Sequence, residues 1–477
     1  MPNLMAGNPI DPGSKEPAAF IPLEKLAQEL AYQQQTVYLE RTTRPLLRWL
    51  PVQEQLLLQC HRAYTDAGQR GLAFSSAAEW MLDNFYIVQQ VMRQVEKDFT
   101  PAYYDDLPTL ASQNNAGLPR IFTLTRRFVR HEQCQVSGER LHTFLRAYQA
   151  ITPLTMGEMW ALPIMLRICL LAALAQANGR LTQLAPSPET IPEALRFPLQ
   201  IEDKDVVAHC IVSLRWVGNT NWQTFFEEAN AAEQILRQDP SRLYSRMTFD
   251  TCDQYRKVVE TMARQGNLAE NVVAQTAVSL AQSQTPPTAQ RPDDPWNGLT
   301  LPPQAHVGYY LIGEGRDKLE QELSYHPGGR ARFSHWLKRH ALVAYLSSAL
   351  LLTLLLLALL LAYTMRVGGA GWQLVLVALV AFMPITAVAI NLLNWFTTQQ
   401  VTPQRLPKLN FEQGIPASCQ SMIVIPAMLT DEAETRSLLE QLERHYLRNP
   451  DPQIGFALLT DFTDAPEPDM PGDAALC

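Results

Sequence analysis

Hydrophobic and polar positions along this 477-residue chain pass through three successive rhythms. Through residues 20–280, apolar side chains recur at steps of three and four, the period of helices with one face turned inward. The clearest run is Met81, Phe85, Val88, Met92, Val95 and Phe99, preceded by Ser76 and Glu79 at capping-box spacing. Thr155 and Glu158 share that spacing and open TMGEMWALPIMLRICLLAALA, which Pro163 and Arg167 interrupt. An arginine at a bilayer centre costs about 2.5–3.5 kcal/mol, so this stretch reads as a helix buried in protein, with a membrane-surface helix as the other reading. Residues 245–265, SRMTFDTCDQYRKVVETMARQ, carry Arg246, Asp250, Asp253, Arg256 and Lys257 at helical spacing, the pattern of a solvated or salt-bridged face.

The second rhythm is unbroken apolarity. Residues 341–363, ALVAYLSSALLLTLLLLALLLAY, hold 23 positions without a charge. As a helix they reach about 34 Å, against a hydrocarbon core of about 30 Å. Residues 372–396, WQLVLVALVAFMPITAVAINLLNWF, repeat the pattern around Pro384, with Asn391 and Asn394 placed to bond across helices or to sit at the interface. Trp372 and Trp395 suit the headgroup belts. The short loop TMRVGGAG between them predicts a two-helix transmembrane hairpin. Arg330, Arg332, Lys338 and Arg339 precede it and Arg405 and Lys408 follow it, whereas the loop holds only Arg366. The positive-inside rule then puts both termini in the cytoplasm, and MPNLMAGNPIDPGSKE lacks the basic-then-apolar order of a secretory signal.

The third rhythm follows a polar linker with Pro403, Pro407 and Pro416. SMIVIPAML predicts a buried strand, Asp431 and Glu434 a helix start, DEAETRSLLEQLERHYL an amphipathic helix, and IGFALLTD a second strand. Together they predict a right-handed β-α-β unit, the opening of a parallel α/β sheet. Such sheets bind ligands outside the carboxyl ends of their strands, where Asp461 falls. A carboxylate there can accept the N3–H of a uracil ring or orient a ribose, but it needs a metal between itself and a diphosphate. Asp464 either shares that work or caps the following turn; Asp469 and Asp473 read as loop residues.

Composition narrows the field. The net charge of −8 gives no basic footprint, so nucleic acid is not an expected partner. The seven cysteines include no CxxC pair, which argues against a zinc site and for buried thiols in a reducing compartment. Asp203 and Asp205 have DxD form without a preceding strand and read as chance. His131, His142 and His209 show no partner at metal-ligand spacing. Residues 282–303, QSQTPPTAQRPDDPWNGLTLPP, read as a linker.

Several blocks resemble a known family. FSSAAEWMLDNFYIVQQ, YYDDLPTLA, GLPRIFTL, FLRAYQAITPLTMGEMWALPIMLRI, SRMTFDTCDQYRKVVE and HVGYYLIGEGR are similar to the N-terminal region of bacterial cyclic β-1,2-glucan synthases, and ALLTDFTDAPEPDMPGD resembles the start of their glycosyltransferase domain. The resemblance implies a multi-pass enzyme of the bacterial inner membrane that uses UDP-glucose as donor with Mg2+ or Mn2+. It also implies a growing glucan chain that begins on the protein itself, and membrane lipid as a further partner. The expected fold is mainly α. A helical cytoplasmic domain covers 1–281, a Pro-rich linker 282–303 and a basic juxtamembrane segment 304–340. The two spans follow, then a linker over 397–417. Residues 418–477 are expected to be the start of a truncated GT-A-like domain. Only Asp461 and Asp464 carry over as nucleotide-sugar contacts. The metal ligands, the base carboxylate and a QxxRW-type acceptor motif are not found before Cys477, so the chain alone is expected to be inactive. The rival readings are a non-enzymatic membrane scaffold and a cellulose-synthase-like polymerase of another linkage.

Overall fold

The computed structural model describes residues 21–35, 37–38, 44–70, 75–110, 117–185, 191–286, 297–325, 328–329, 336–337, 340–400, 406–429, 431–462 and 464. The first 20 residues, part of the Pro-rich linker, the basic residues Arg330, Arg332, Lys338, Arg339 and Arg405, and Asp469, Asp473 and Cys477 lie outside them. The chain is mainly helical and divides into two compact units. One contains the described residues up to Leu236 with Ala269–Gln275; the other contains Arg237–Leu268 and the described residues from Thr276 on.

The first unit is helical apart from a short antiparallel pair, β1 (Val37–Tyr38) with β2 (Thr109–Leu110). Its helices include α1 (Leu23–Gln33), α2 (Pro45–Gln69), α3 (Ser76–Asp98), α4 (Pro101–Asp105), α5 (Arg120–His131), α6 (Gly138–Gln149), α7 (Met156–Leu181) and α8 (Asp203–Asn219). The α7 helix is the centre, packed against α2, α3, α5 and α8. It is apolar and long enough to cross a membrane, yet 89% of its most apolar window is buried inside the protein, in agreement with the buried-helix reading. Pro163 is enclosed with the rest. Burial pushes the Arg167 guanidinium below its usual range, and Asp98 opposes that only in part.

The start of α7 is fixed by the expected capping box. Thr155 Oγ1 accepts from the Glu158 amide at 3.2 Å, and Glu158 Oε2 accepts from the Thr155 amide at 2.9 Å. The same carboxylate, fully buried, takes both forks of Arg120, with Nε donating to Oε1 at 2.8 Å and Nη2 to Oε2. Burial alone would lower the Arg120 pKa, but Glu158 outweighs it and the guanidinium stays above its usual value. The pair ties the start of α5 to the start of α7. The α3 helix departs from expectation by one residue. Ser75, not Ser76, is its N-cap, with Oγ accepting from the Ala78 amide at 3.3 Å. Ser75 is the last residue in extended backbone, so Glu79 lies one position too deep to reach back. The apolar stripe from Met81 to Phe99 is buried as predicted.

In the second unit, the helix Phe249–Gly266 corrects one expectation. Asp253 and Lys257 do pair across one turn at 2.7 Å, but Arg256 is not on a solvated face. It is 2% exposed, with its guanidinium carbon 5.0 Å from the Phe249 ring centre. Helical spacing alone does not tell an outward cation from an inward one, and a ring beside the guanidinium favours a cation that is drawn inward. The two apolar segments form helices Ala341–Arg366 and Gly371–Gln400, both slightly longer than predicted. They pack on each other, with Tyr345 Oη donating to Asn394 Oδ1 at 2.8 Å and Thr353 and Ala389 as their buried residues. Only 6% of the most apolar window of each is buried.

The chain then makes β3 (Ser421–Leu429), the helix Glu432–Arg448, and β4 (Ile454–Phe462). Asp431 caps the helix as expected, accepting from the Glu434 amide at 2.8 Å. The strands pair parallel, from Ser421 opposite Ile454 to Leu429 opposite Phe462. The expected burial of β3 is not observed. Of its residues only Leu429 is buried, while Met422 is 69% and Met428 54% exposed. The reason is that a parallel pair needs layers on both faces, and among the described residues the helix Glu432–Arg448 is its cover.

Removal of the Glu158 carboxylate leaves Arg120 charged and buried without its counter-ion. Glu158→Ala is expected to destabilise the first unit by about 3–5 kcal/mol. Asp203→Ala, which breaks the exposed pair with Arg180, is expected to cost about 1 kcal/mol or less. Denaturant titration of the detergent-solubilised chain by tryptophan fluorescence measures both.

Candidate functional site

The parallel register sets what the end of β4 can do. Met428 stands opposite Asp461, so both strands present their carboxyl ends on one edge. Asp461 lies at that edge, exposed, with Oδ1 accepting the Phe462 amide at 2.9 Å. That bond holds one oxygen back and leaves the other for a donor. Asp464 is exposed and lies just past the strand, outside regular structure. Two exposed carboxylates can accept hydrogen bonds from a ring N–H or a sugar hydroxyl. Among the described residues no group of three His, Cys, Asp or Glu side chains comes together.

The segment leading into β3 is strapped down. Met247 and Leu409 form an antiparallel bridge. The Thr248 amide donates to the Lys408 carbonyl at 2.9 Å, and the Asn410 amide to the Arg246 carbonyl at 2.7 Å. The Lys408 amide donates to Thr251 Oγ1 at 3.0 Å. Three backbone amides thereby tie the chain to the start of the helix Phe249–Gly266.

A buried polar network lies beside the strap, and sequence reasoning missed it. Asp239, with no exposed side-chain surface, meets His306 Nδ1 through Oδ2 at 2.9 Å and accepts the Val307 amide on Oδ1 at 3.0 Å. Ser241 Oγ donates to the same carboxylate. The other ring nitrogen of His306 is 3.1 Å from Tyr255 Oη. Burial alone would raise the Asp239 pKa, but His306, Ser241 and the Val307 amide outweigh it and hold it below the usual carboxylate range. Burial and the charge of Asp239 push the Tyr255 phenol well up. Gly308 is obligatory here, since a Cβ at that position would stand 2.2 Å from Tyr255 Oη and 2.7 Å from His306 Nε2. The block HVGYYLIGEGR already contained His306 and Gly308. Asp239, distant in sequence, had no spacing to reveal it.

The other polar candidates have structural partners. Asp203 forks Arg180 at the first turn of α8. His131 lies 2.7 Å from Glu132, and His209 lies 3.0 Å from the Gln133 carbonyl.

Asp239 has a lowered folded pKa. Its contribution to stability is present above the unfolded value of about 3.9 and disappears as pH falls through the folded value. Asp239→Asn is expected to be weaker near neutral pH and to show a shallower loss of stability below about pH 4 than the parent chain. Thermal unfolding between pH 3 and 7 tests this. Gly308→Ala is expected to displace Tyr255 and lower the same melting temperature at every pH.

No protein-family profile matches the chain. Over 492 aligned positions it is 25% identical to the cyclic β-(1,2)-glucan synthase NdvB of Rhizobium meliloti (strain 1021). The match covers 88% of this chain and 17% of that protein's length. This likeness supports a relationship to a glycosyltransferase family concerned with glucan synthesis, and the apolar helices agree with a membrane protein.

Proposed function

We propose that this chain is the membrane-anchored front portion of a glycosyltransferase that builds cyclic β-1,2-glucan from UDP-glucose. The observation that carries the reading is Asp461 at the carboxyl edge of a parallel β-α-β unit, directly downstream of two helices that leave their apolar surface uncovered. The likeness to the Rhizobium meliloti synthase supports the product class, a glucan. In this reading the two helices form a hairpin in the inner membrane, and both termini and Asp461 face the cytoplasm, where UDP-glucose is found.

Asp461 accepts the N3–H of the uracil ring or a ribose hydroxyl, and Asp464 lies where it can add a second contact. Mg2+ or Mn2+ would neutralise the leaving diphosphate. In this reading the ligands of that ion are not supplied by Asp461 and Asp464. A base for the acceptor hydroxyl is likewise not identified in this chain. In this reading the chain holds the nucleoside end of a donor site. The growing glucan is the acceptor in the complete reaction.

Membranes containing only residues 1–477 are expected to incorporate no radiolabel from UDP-glucose into glucan. The same membranes are expected to bind UDP, and Asp461→Ala to weaken that binding by about tenfold or more, the size of one hydrogen bond to a charged group. Unchanged UDP binding in Asp461→Ala, or labelling of Asp461→Cys from the periplasmic side, overturns the reading.

A further inference from the structure

In the first unit, far in sequence from the β-α-β segment, a cleft of about 580 Å³ opens between the end of α5, the end of α7 and the segment 191–198. Four arginines line it: Arg126, Arg130, Arg180 and Arg196. Of these, Arg180 is neutralised by Asp203, which takes Nε and Nη2 together. Among the described lining residues, one carboxylate, that of Glu193, accompanies the remaining three. Leu56 and Ile191 supply an apolar wall.

The three are not held as ordinary ion pairs. Arg126 donates to the Arg196 carbonyl through Nε at 3.1 Å and to the Glu193 carbonyl through Nη2 at 3.0 Å. Its cation lies over Phe197, 5.7 Å from the ring centre. Carbonyls and a ring orient the charge but do not cancel it. Arg196 donates its Nε to the Ile191 carbonyl at 2.8 Å, which leaves the rest of its fork available. Arg130 is the clearest case, because its Nε is buried and has no hydrogen-bond partner. Native proteins seldom leave a buried donor unmet. Burial and the neighbouring arginines push Arg126 down to about 10, and burial followed by Arg127 lowers Arg130. These directions agree with cations packed together, with Glu193 opposing the shift of Arg126 only in part.

We propose that this cleft binds a phosphate-bearing anion, with Arg130 and Arg196 contacting the phosphoryl oxygens and Arg126 positioned behind them. Guanidinium forks match tetrahedral oxyanions by paired hydrogen bonds. The surplus of positive charge suits a dianion or a diphosphate better than one carboxylate. The volume exceeds what an inorganic phosphate needs, and the apolar wall has room for an organic body. The phosphoryl group can belong to a soluble metabolite or to a lipid headgroup. This site shares no residue with Asp461 and stands whether or not this chain contributes to sugar transfer.

The test uses the full chain in detergent, with inorganic pyrophosphate as the soluble probe and dihexanoyl phosphatidic acid, below its micellar concentration, as the lipid probe. Saturable binding of at least one probe is expected, weakening as salt rises. Arg130→Gln is expected to lose tenfold or more, with Arg130→Lys intermediate and the exposed Arg146→Gln unchanged. The probe that binds identifies the source of the phosphoryl group. As a readout on the unaltered chain, a bound probe is expected to protect Arg130 and Arg196 from phenylglyoxal modification, followed by mass spectrometry. Absence of binding by both probes at millimolar concentration, equal binding in Arg130→Gln, or no protection of Arg130 overturns the proposal.

Discussion

Apolar surface must leave water, and the way each long helix of this chain meets that demand decides what each unit is. Burial of one methylene stabilises by about 0.8 kcal/mol, so an uncovered helix of leucines and valines in water is prohibitive. The α7 helix meets the demand with protein, since its neighbours enclose nearly all of it. The helices Ala341–Arg366 and Gly371–Gln400 do not. They cover each other along one narrow line through Thr353 and Ala389 and leave the remaining circumference open. Hydrocarbon is the solvent that suits that surface, and a bilayer also satisfies the length of both helices. Arg167 inside α7 fits the same division. A cation is tolerated within a protein core that offers Asp98 nearby, whereas of the two exposed helices one carries a single charge, its last residue Arg366, and the other none.

Much of the architecture was legible because it is written in local rules. The Thr155–Glu158 box, the Asp431 cap and the bounds of β3 follow from residues a few positions apart. The one-residue error at α3 arose because Ser75 and Ser76 are equally good caps in isolation, and only the extended backbone at Ser75 separates them. Arg256 was misjudged for a different reason. Helical period gives a side chain its angle, not what packs over it, and Arg256 is buried, with the Phe249 ring of its own helix beside its cation. The Asp239–His306 network and the arginine cleft were out of reach altogether. Each joins residues tens of positions apart, whose encounter depends on how helices pack. Among the site candidates, the position of Asp461 at a strand's carboxyl end was readable, since it needs only strand direction and the right-handed crossover.

The strap at Lys408–Asn410 links these levels. Two apolar helices fix a chain's depth in a membrane but leave a following segment free to swing. Backbone bonds from Thr248, Lys408 and Asn410 remove that freedom before β3 begins. They depend on Arg246–Thr251 being held, and that stretch lies between the buried Asp239 and Tyr255. A glycine at 308, where a side chain would collide with Tyr255, keeps the network closed. The buried carboxylate and the strap thus flank one stretch of chain, Asp239 before it and Tyr255 after it.

Affinity sets the last constraint. A single exposed carboxylate exchanging water for a ring N–H or a hydroxyl nets about 0.5–1.5 kcal/mol, or 3 kcal/mol at most with full charge assistance. That discriminates a nucleotide only weakly. Recognition of a nucleotide sugar at Asp461 is therefore tightened by desolvation, which cover over the edge would supply. The uncovered faces of β3 and β4 point the same way, because Met422, Met428 and Leu459 are apolar side chains open to water on a sheet type that is stable only when enclosed. One covering layer would meet both demands, since burying those side chains also lowers the dielectric around Asp461 and strengthens every hydrogen bond it accepts.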